Sequence, residues 1–140
     1  MEILFLSELT RPFIISGPCV LENSDVPMRI ADFLSGMAEK YSLDIIYKAS
    51  FDKANRSSSK SFRGVGLRKG LEILNEIRIK NSLLVTTDVH ETSQVDQVAN
   101  DIDILQIPAF LCRQTDLITE CAKTGKVLNI KKGQFLSPYE

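Results

Sequence analysis

Apolar positions along the chain switch between two periods in a regular order. Phe13 to Ile15 is a short apolar run that stops at Gly17-Pro18-Cys19, the pattern of a buried strand closed by turn residues. Ile30, Leu34, Met37 and Tyr41 then recur at helical spacing and predict a first helix. Asp44 to Ser50 reads as a second strand. A polar loop through Asp52 to Ser61 follows it, and Leu67, Leu71, Leu74 and Ile77 mark a second amphipathic helix. The cycle continues with a strand over Leu83 to Asp88, a short helix over Ser93 to Ala99 and a strand over Ile102 to Ile107. A helix over Gln114 to Thr124 and a strand over Val127 to Lys131 complete it, with Gly125 where a helix C-cap glycine belongs.

Strands alternating with helices require a parallel sheet with right-handed crossovers. In a doubly wound sheet both faces are covered by helices, so the strands should be apolar throughout. These strands are not. Leu83, Val85 and Val89 fall on one face of the third strand and Thr86, Asp88 and His90 on the other, because strand side chains alternate. The second strand places Ile46, Lys48 and Ser50 on one face, and the fifth sets Leu128 and Ile130 against Asn129 and Lys131. A polar face opposite a helix-covered face suits the mouth of a β/α barrel. The expected fold is therefore α/β, a partial TIM barrel of about five β/α units. A complete barrel of eight units takes about 250 residues, against 140 in this chain.

Length and composition fit one globular domain: 44% of residues are hydrophobic and 25% charged, with a net charge of -1. The reading is one domain over 1–140, with 1–12 as a lead-in. The charge balance makes nucleic acid a poor expectation as partner, and no apolar run is long enough to span a bilayer. The start, Met1 to Arg11, lacks the order of a signal peptide, so the expected address is cytoplasmic. Three cysteines without a CxxC argue against a disulfide framework or a zinc knuckle. Cys121 and Cys112 read as packing residues.

The predicted strand ends gather Cys19, Lys48, Lys53, Asn55, Arg56, Ser57, Asp88, His90, Gln106, Arg113, Lys131 and Lys132. Any one of these cations reads most simply as a solvated loop charge. Several at equivalent strand ends instead point to anionic ligands carrying phosphate or carboxylate. Asn55-Arg56-Ser57-Ser58 offers an amide, a guanidinium fork and two hydroxyls to a phosphate. His90 is the chain's single histidine, which excludes a multi-histidine metal centre built from this chain alone.

The stretches FIISGPCVLEN, YKASFDKANRSS, SFRGVGL, TTDVHE, LQIPAFLCRQTDL, AKTGK and NIKKGQFLSP, in this order over residues 13–138, resemble 3-deoxy-D-manno-octulosonate 8-phosphate synthases. KANRSS and IPAFLCRQTDL are the most specific. The related synthase of the seven-carbon sugar acid phosphate shares the barrel and its phosphoenolpyruvate site without KANRSS. The resemblance implies condensation of phosphoenolpyruvate with D-arabinose 5-phosphate and water, giving the eight-carbon sugar acid phosphate of lipopolysaccharide and inorganic phosphate. It implies phosphoenolpyruvate held by Lys48, Gln106, Pro108, Ala109, Arg113 and Lys131. Arabinose 5-phosphate would be held by Lys53, Asn55, Arg56, Ser57 and Asp88, with Lys48, Lys53 and Asp88 as the catalytic set. By the same resemblance Cys19 marks the metal-dependent branch and is the expected ligand of a divalent ion such as zinc, iron or manganese. The family continues past the equivalent of Glu140 through three more strands that complete the metal site, so this chain alone is expected to be inactive, and the complete enzyme to be a homotetramer. The alternatives are a non-catalytic anion-binding remnant of the barrel and the related 3-deoxy-7-phosphoheptulonate synthase activity.

Overall fold

The computed structural model describes residues 12–58 and 60–139, and its frame is a five-stranded parallel sheet in the order β1-β2-β3-β4-β5. The strands are β1 Phe13–Ser16, β2 Asp44–Lys48, β3 Leu84–Asp88, β4 Ile104–Ile107 and β5 Val127–Ile130. Between them run α1 Asp25–Tyr41, α2 Leu67–Asn81, α3 Val95–Asp101 and α4 Thr115–Lys123. Each strand pairs with its sequence neighbour, as right-handed β/α units laid side by side require. The fold is the expected partial barrel. The expected lead-in, apart from Pro12, lies outside the described residues. Among the described residues no helix is long and apolar enough to cross a membrane.

Strand alternation divides the side chains into two sets. Outward, Ile45, Tyr47, Val85, Leu105 and Ile107 are buried against Leu71, Leu74 and Ile77 of α2, Val95 and Val98 of α3, and Leu117 and Cys121 of α4. Inward, Ile46 and Ile104 are buried outside that cluster, on the face that also carries Lys48, Thr86, Asp88 and Gln106. The inward face is therefore apolar at its floor and polar at the C-terminal strand ends. Tyr47 crosses the outward layer and donates its hydroxyl hydrogen bond to the Pro27 carbonyl at 2.9 Å, fixing α1 on the sheet.

The element boundaries depart from the periodicity for local reasons. β4 begins at Ile104 because the Ile102 N–H closes α3 on the Val98 carbonyl at 3.0 Å, while Asp103 turns towards β3. A 3₁₀ turn, Thr92–Gln94, precedes α3, and another, Ala109–Leu111, follows β4; neither has an apolar period long enough to register. Tyr41 sits at helical spacing but is half exposed, with the Lys40 ammonium 5.0 Å from its ring centre.

The loop after β2 is closed at its base. Arg63 Nε donates to Asp52 Oδ1 at 2.8 Å, a second guanidinium N–H donates to Asp52 Oδ2, and the Lys53 N–H meets the Arg63 carbonyl at 2.6 Å. Gly64, at φ 134°, passes so close to Phe51 that a Cβ would lie 2.2 Å from the Phe51 carbonyl oxygen. The segment carrying Asn55, Arg56 and Ser57 is thus a loop with fixed ends.

At the other end of the strands, Asp103 ties β3 to β4. Its Oδ2 accepts the Val85 N–H at 2.8 Å, its own N–H donates to the Val85 carbonyl at 3.3 Å, and Arg78 lies 3.5 Å from its Oδ1. Asp103→Ala leaves the Val85 N–H without this acceptor and is expected to cost about 1–3 kcal/mol. Chemical denaturation checks it, and an unchanged unfolding midpoint would count against this role.

Candidate active site

The C-terminal strand ends open into a cleft of about 510 Å³. Lys48, Lys53, Asp88, Gln106 and Lys131 line it from the strands and their extensions, Asn55 and Arg56 from the clasped loop, and Pro108 and Ala109 from the turn after β4. Asp52, His90, Phe110 and Gln134 complete much of the wall. Most residues expected from the sequence therefore meet in one place. Ser57 is exposed on the loop, Arg113 is exposed after the turn that follows β4, and neither lines the cleft. Lys132 turns away, donating to the Gly133 carbonyl at 3.0 Å and the Leu136 carbonyl at 2.5 Å.

The centre of the cleft is a buried ionic cluster assembled by strand register. β3 pairs Asp88 with Gln106 of β4, and β4 pairs Gln106 with Asn129 of β5. Gln106 Nε2 donates to Asp88 Oδ1, while Asn129 Nδ2 donates to Gln106 Oε1 at 2.9 Å and so fixes which way the Gln106 amide faces. On the other side, Lys48 Nζ lies 3.1 Å from Asp88 Oδ2, and the Ser50 hydroxyl donates to the same oxygen. Burial alone would push the Asp88 carboxyl up, but the Lys48 charge with the Ser50 and Gln106 hydrogen bonds holds it below the usual carboxylate value. Burial lowers the Lys48 ammonium, and Asp88 opposes that shift. The site therefore presents an ionised aspartate already engaged by donors, with cations left at the rim.

His90 follows β3 and packs edge-on against Phe51 with ring centres 5.5 Å apart. Its Nδ1 is buried and lacks a hydrogen-bond partner among the described residues. Burial depresses the imidazole below its usual 6.5, with Asp88 and Asp52 pulling the other way, so the ring is held neutral.

Cys19 is exposed on the segment that leaves β1. That segment crosses β2 closely: a Cβ on Gly17, at φ 157°, would lie 2.1 Å from the Lys48 carbonyl oxygen. The Leu21 N–H then donates to the Ser50 carbonyl at 3.0 Å, and Val20 bridges Ser50. Cys19 is thereby anchored above the same strand end. Among the described residues, however, no three His, Cys, Asp or Glu side chains gather as ligands of one ion would. The donors described in this chain do not by themselves compose a metal centre.

Asn129 and Ser50 were the two residues of the cluster not singled out from sequence. Both carried a legible signal, being on the inward face of their strands, but Asn129 reaches Gln106 across 23 residues and Ser50 reaches Asp88 across 38.

The 2-dehydro-3-deoxyphosphooctonate aldolase of Burkholderia cenocepacia is 52% identical over 128 residues, covering 91% of this chain and 45% of that protein. The Pisum sativum protein of the same name is 52% identical over 126 residues, covering 90% of this chain and 43% of the relative. That of Cupriavidus necator is 50% identical over 137 residues, covering 97% and 47%. The name is the other designation of the synthase that the sequence motifs resemble. The chain spans rather less than half the length of these curated relatives. The family model described as the DAHP synthetase I family matches residues 8–140, from ahead of β1 to beyond β5, and with that coverage the chain belongs to the DAHP synthetase I family.

Proposed function

We propose that this chain carries the substrate cleft of a synthase that joins phosphoenolpyruvate to D-arabinose 5-phosphate. The observation that carries the reading is the placing of Lys48, Lys53 and Lys131 with Asn55 and Arg56 around one cleft whose floor is the Asp88 cluster. Two phosphorylated substrates, one also a carboxylate, need several cations and amide donors in a shared space. In the reaction C3 of phosphoenolpyruvate bonds to the aldehyde carbon of the sugar, whose oxygen takes up a proton. Water adds at C2, and the C2–O bond to phosphate breaks, releasing inorganic phosphate and leaving a 2-keto acid.

In this reading Lys48 and Lys131 neutralise phosphoenolpyruvate, and Gln106 with the Pro108-Ala109 turn positions it. Lys53, Asn55 and Arg56 hold the sugar phosphate. The protein's contribution is orientation of two anions that would otherwise repel, together with stabilisation of charge in a partly dry cleft. Ser57 and Arg113, exposed here, belong to the reading as outer anion contacts. A metal expectation rests on Cys19 alone, and no step is assigned to an ion. The homotetramer and the cytoplasmic address remain part of the proposal for the complete enzyme.

Phosphate release from phosphoenolpyruvate, measured for this chain and for the chain joined to the remaining length of its relatives, tests the function. Turnover is expected in the longer form, dependent on both substrates. Lys131→Ala is expected to weaken phosphoenolpyruvate binding by about tenfold, the loss of one charge-assisted contact. Calorimetric binding without turnover in either form would favour the anion-binding remnant, and neither binding nor turnover would overturn the reading.

A second test concerns acid sensitivity. Because the folded-state pKa of His90 lies below the unfolded value of 6.5, the unfolded chain binds more protons as pH falls. The contribution of His90 to stability is complete above about pH 6.5 and is lost as pH falls towards its folded pKa. Thermal unfolding at pH 7.5 and 5.5 should show a larger drop for the unsubstituted chain than for His90→Gln, and equal drops would refute the assignment.

A further inference from the structure

The Ser50 hydroxyl lies at the point where three charged side chains converge. Ser50 is fully buried at the end of β2. Lys48 Nζ is 2.7 Å from its Oγ, Lys53 Nζ is 2.9 Å away, and Asp88 Oδ2 is its third partner. Valence leaves a single arrangement. An ammonium can only donate and an ionised carboxylate can only accept, so Ser50 gives its one hydrogen to Asp88 and accepts from both lysines.

We infer that Ser50 is a positioning residue, whose hydroxyl sets the spacing of the Lys48 and Lys53 ammonium groups and so tunes the grip of the cleft on phosphorylated anions. Two like charges meeting at one oxygen repel each other, and the shared acceptor with Asp88 behind it offsets that repulsion. Lys48 also has Asp88 as a direct partner, whereas among the described residues the Lys53 ammonium hydrogen-bonds to Ser50 alone. Lys53 is therefore the group whose position depends most on the hydroxyl. The Ser50 main chain is separately engaged, through its carbonyl, with the segment that carries Cys19. Removing the hydroxyl leaves that link intact, so the side chain is tested alone.

The inference rests on the proposed anion cleft only for its consequence in binding, and the test separates the two. Lysine acetylation rates in the 140-residue chain, followed by peptide mass spectrometry with exposed Lys40 as internal standard, read the geometry without any ligand. Ser50→Ala is expected to raise the Lys53 rate by about tenfold, as loss of a hydrogen bond to a charged group implies, with a smaller change at Lys48. Ser50→Thr, which keeps the hydroxyl, should restore the native rate. Calorimetry with D-arabinose 5-phosphate, the ligand assigned to Lys53, should then show weaker binding for Ser50→Ala and rescue by Ser50→Thr. Unchanged Lys53 acetylation in Ser50→Ala overturns the inference. If neither the 140-residue chain nor its longer form binds a phosphorylated substrate, the cleft reading fails while the acetylation rates still decide the role of Ser50. Should the variants not fold, nitrogen-15 NMR of the unsubstituted chain decides it. Observable, slowly exchanging Lys53 ammonium protons support the hydroxyl's hold, and a Lys53 signal indistinguishable from that of Lys40 removes it.

Discussion

A carboxylate taken out of water has to be answered by donors, and Asp88 imposes that condition on three neighbouring strands. Its two oxygens accept from Lys48 and Ser50 on the β2 side and from Gln106 on the β4 side. Without those partners the buried charge would cost several kcal/mol or be neutralised by a proton. The donors can reach it because parallel register puts equivalent residues of adjacent strands at the same height, with alternation directing them to the same side. The chemistry of the cleft is thus inseparable from the pairing of the sheet.

The same alternation explains how one short sheet serves two environments. Tyr47, Val85 and Leu105 meet the helices, while Ile46 and Ile104 on the opposite face form an apolar floor beneath the ionic cluster. These apolar side chains beneath the charges lower the local polarity, which strengthens the charge interactions above them. The cations at the rim remain near solvent, where an incoming anion can reach them.

Much of this was legible in the residue pattern. The split of β3 into Val85 and Val89 against Thr86 and Asp88 announced both the barrel-like face and the position of the charged end. The strongly periodic α2 was equally plain. Less visible were contacts between distant segments. Strand alternation sets Ser50 beside Lys48, but nothing near Ser50 in sequence indicates that Asp88, 38 positions later, would take its hydroxyl hydrogen, and Asn129 acquires its role through Gln106, 23 positions earlier. Arg113 and Ser57 are the reverse case: their residue types suit anions, and the loops that carry them set both outside the lining of the cleft. The extra turn Ala109–Leu111 was hidden because so short a segment has no period to detect.

The clasp between Asp52 and Arg63 has a consequence for how such a site can diversify. Since the two ends of the loop are fastened to each other, changes in length beyond Lys53, whose ammonium still reaches Ser50, are taken up within the loop, and each doubling of its length would add only about 0.6 kcal/mol of closure entropy. The fold thus separates a tightly constrained foundation, where a wrong residue strands a buried charge, from a loop more tolerant of change. A loop of different sequence could present a different set of donors to the cleft while the Asp88 foundation stays as it is.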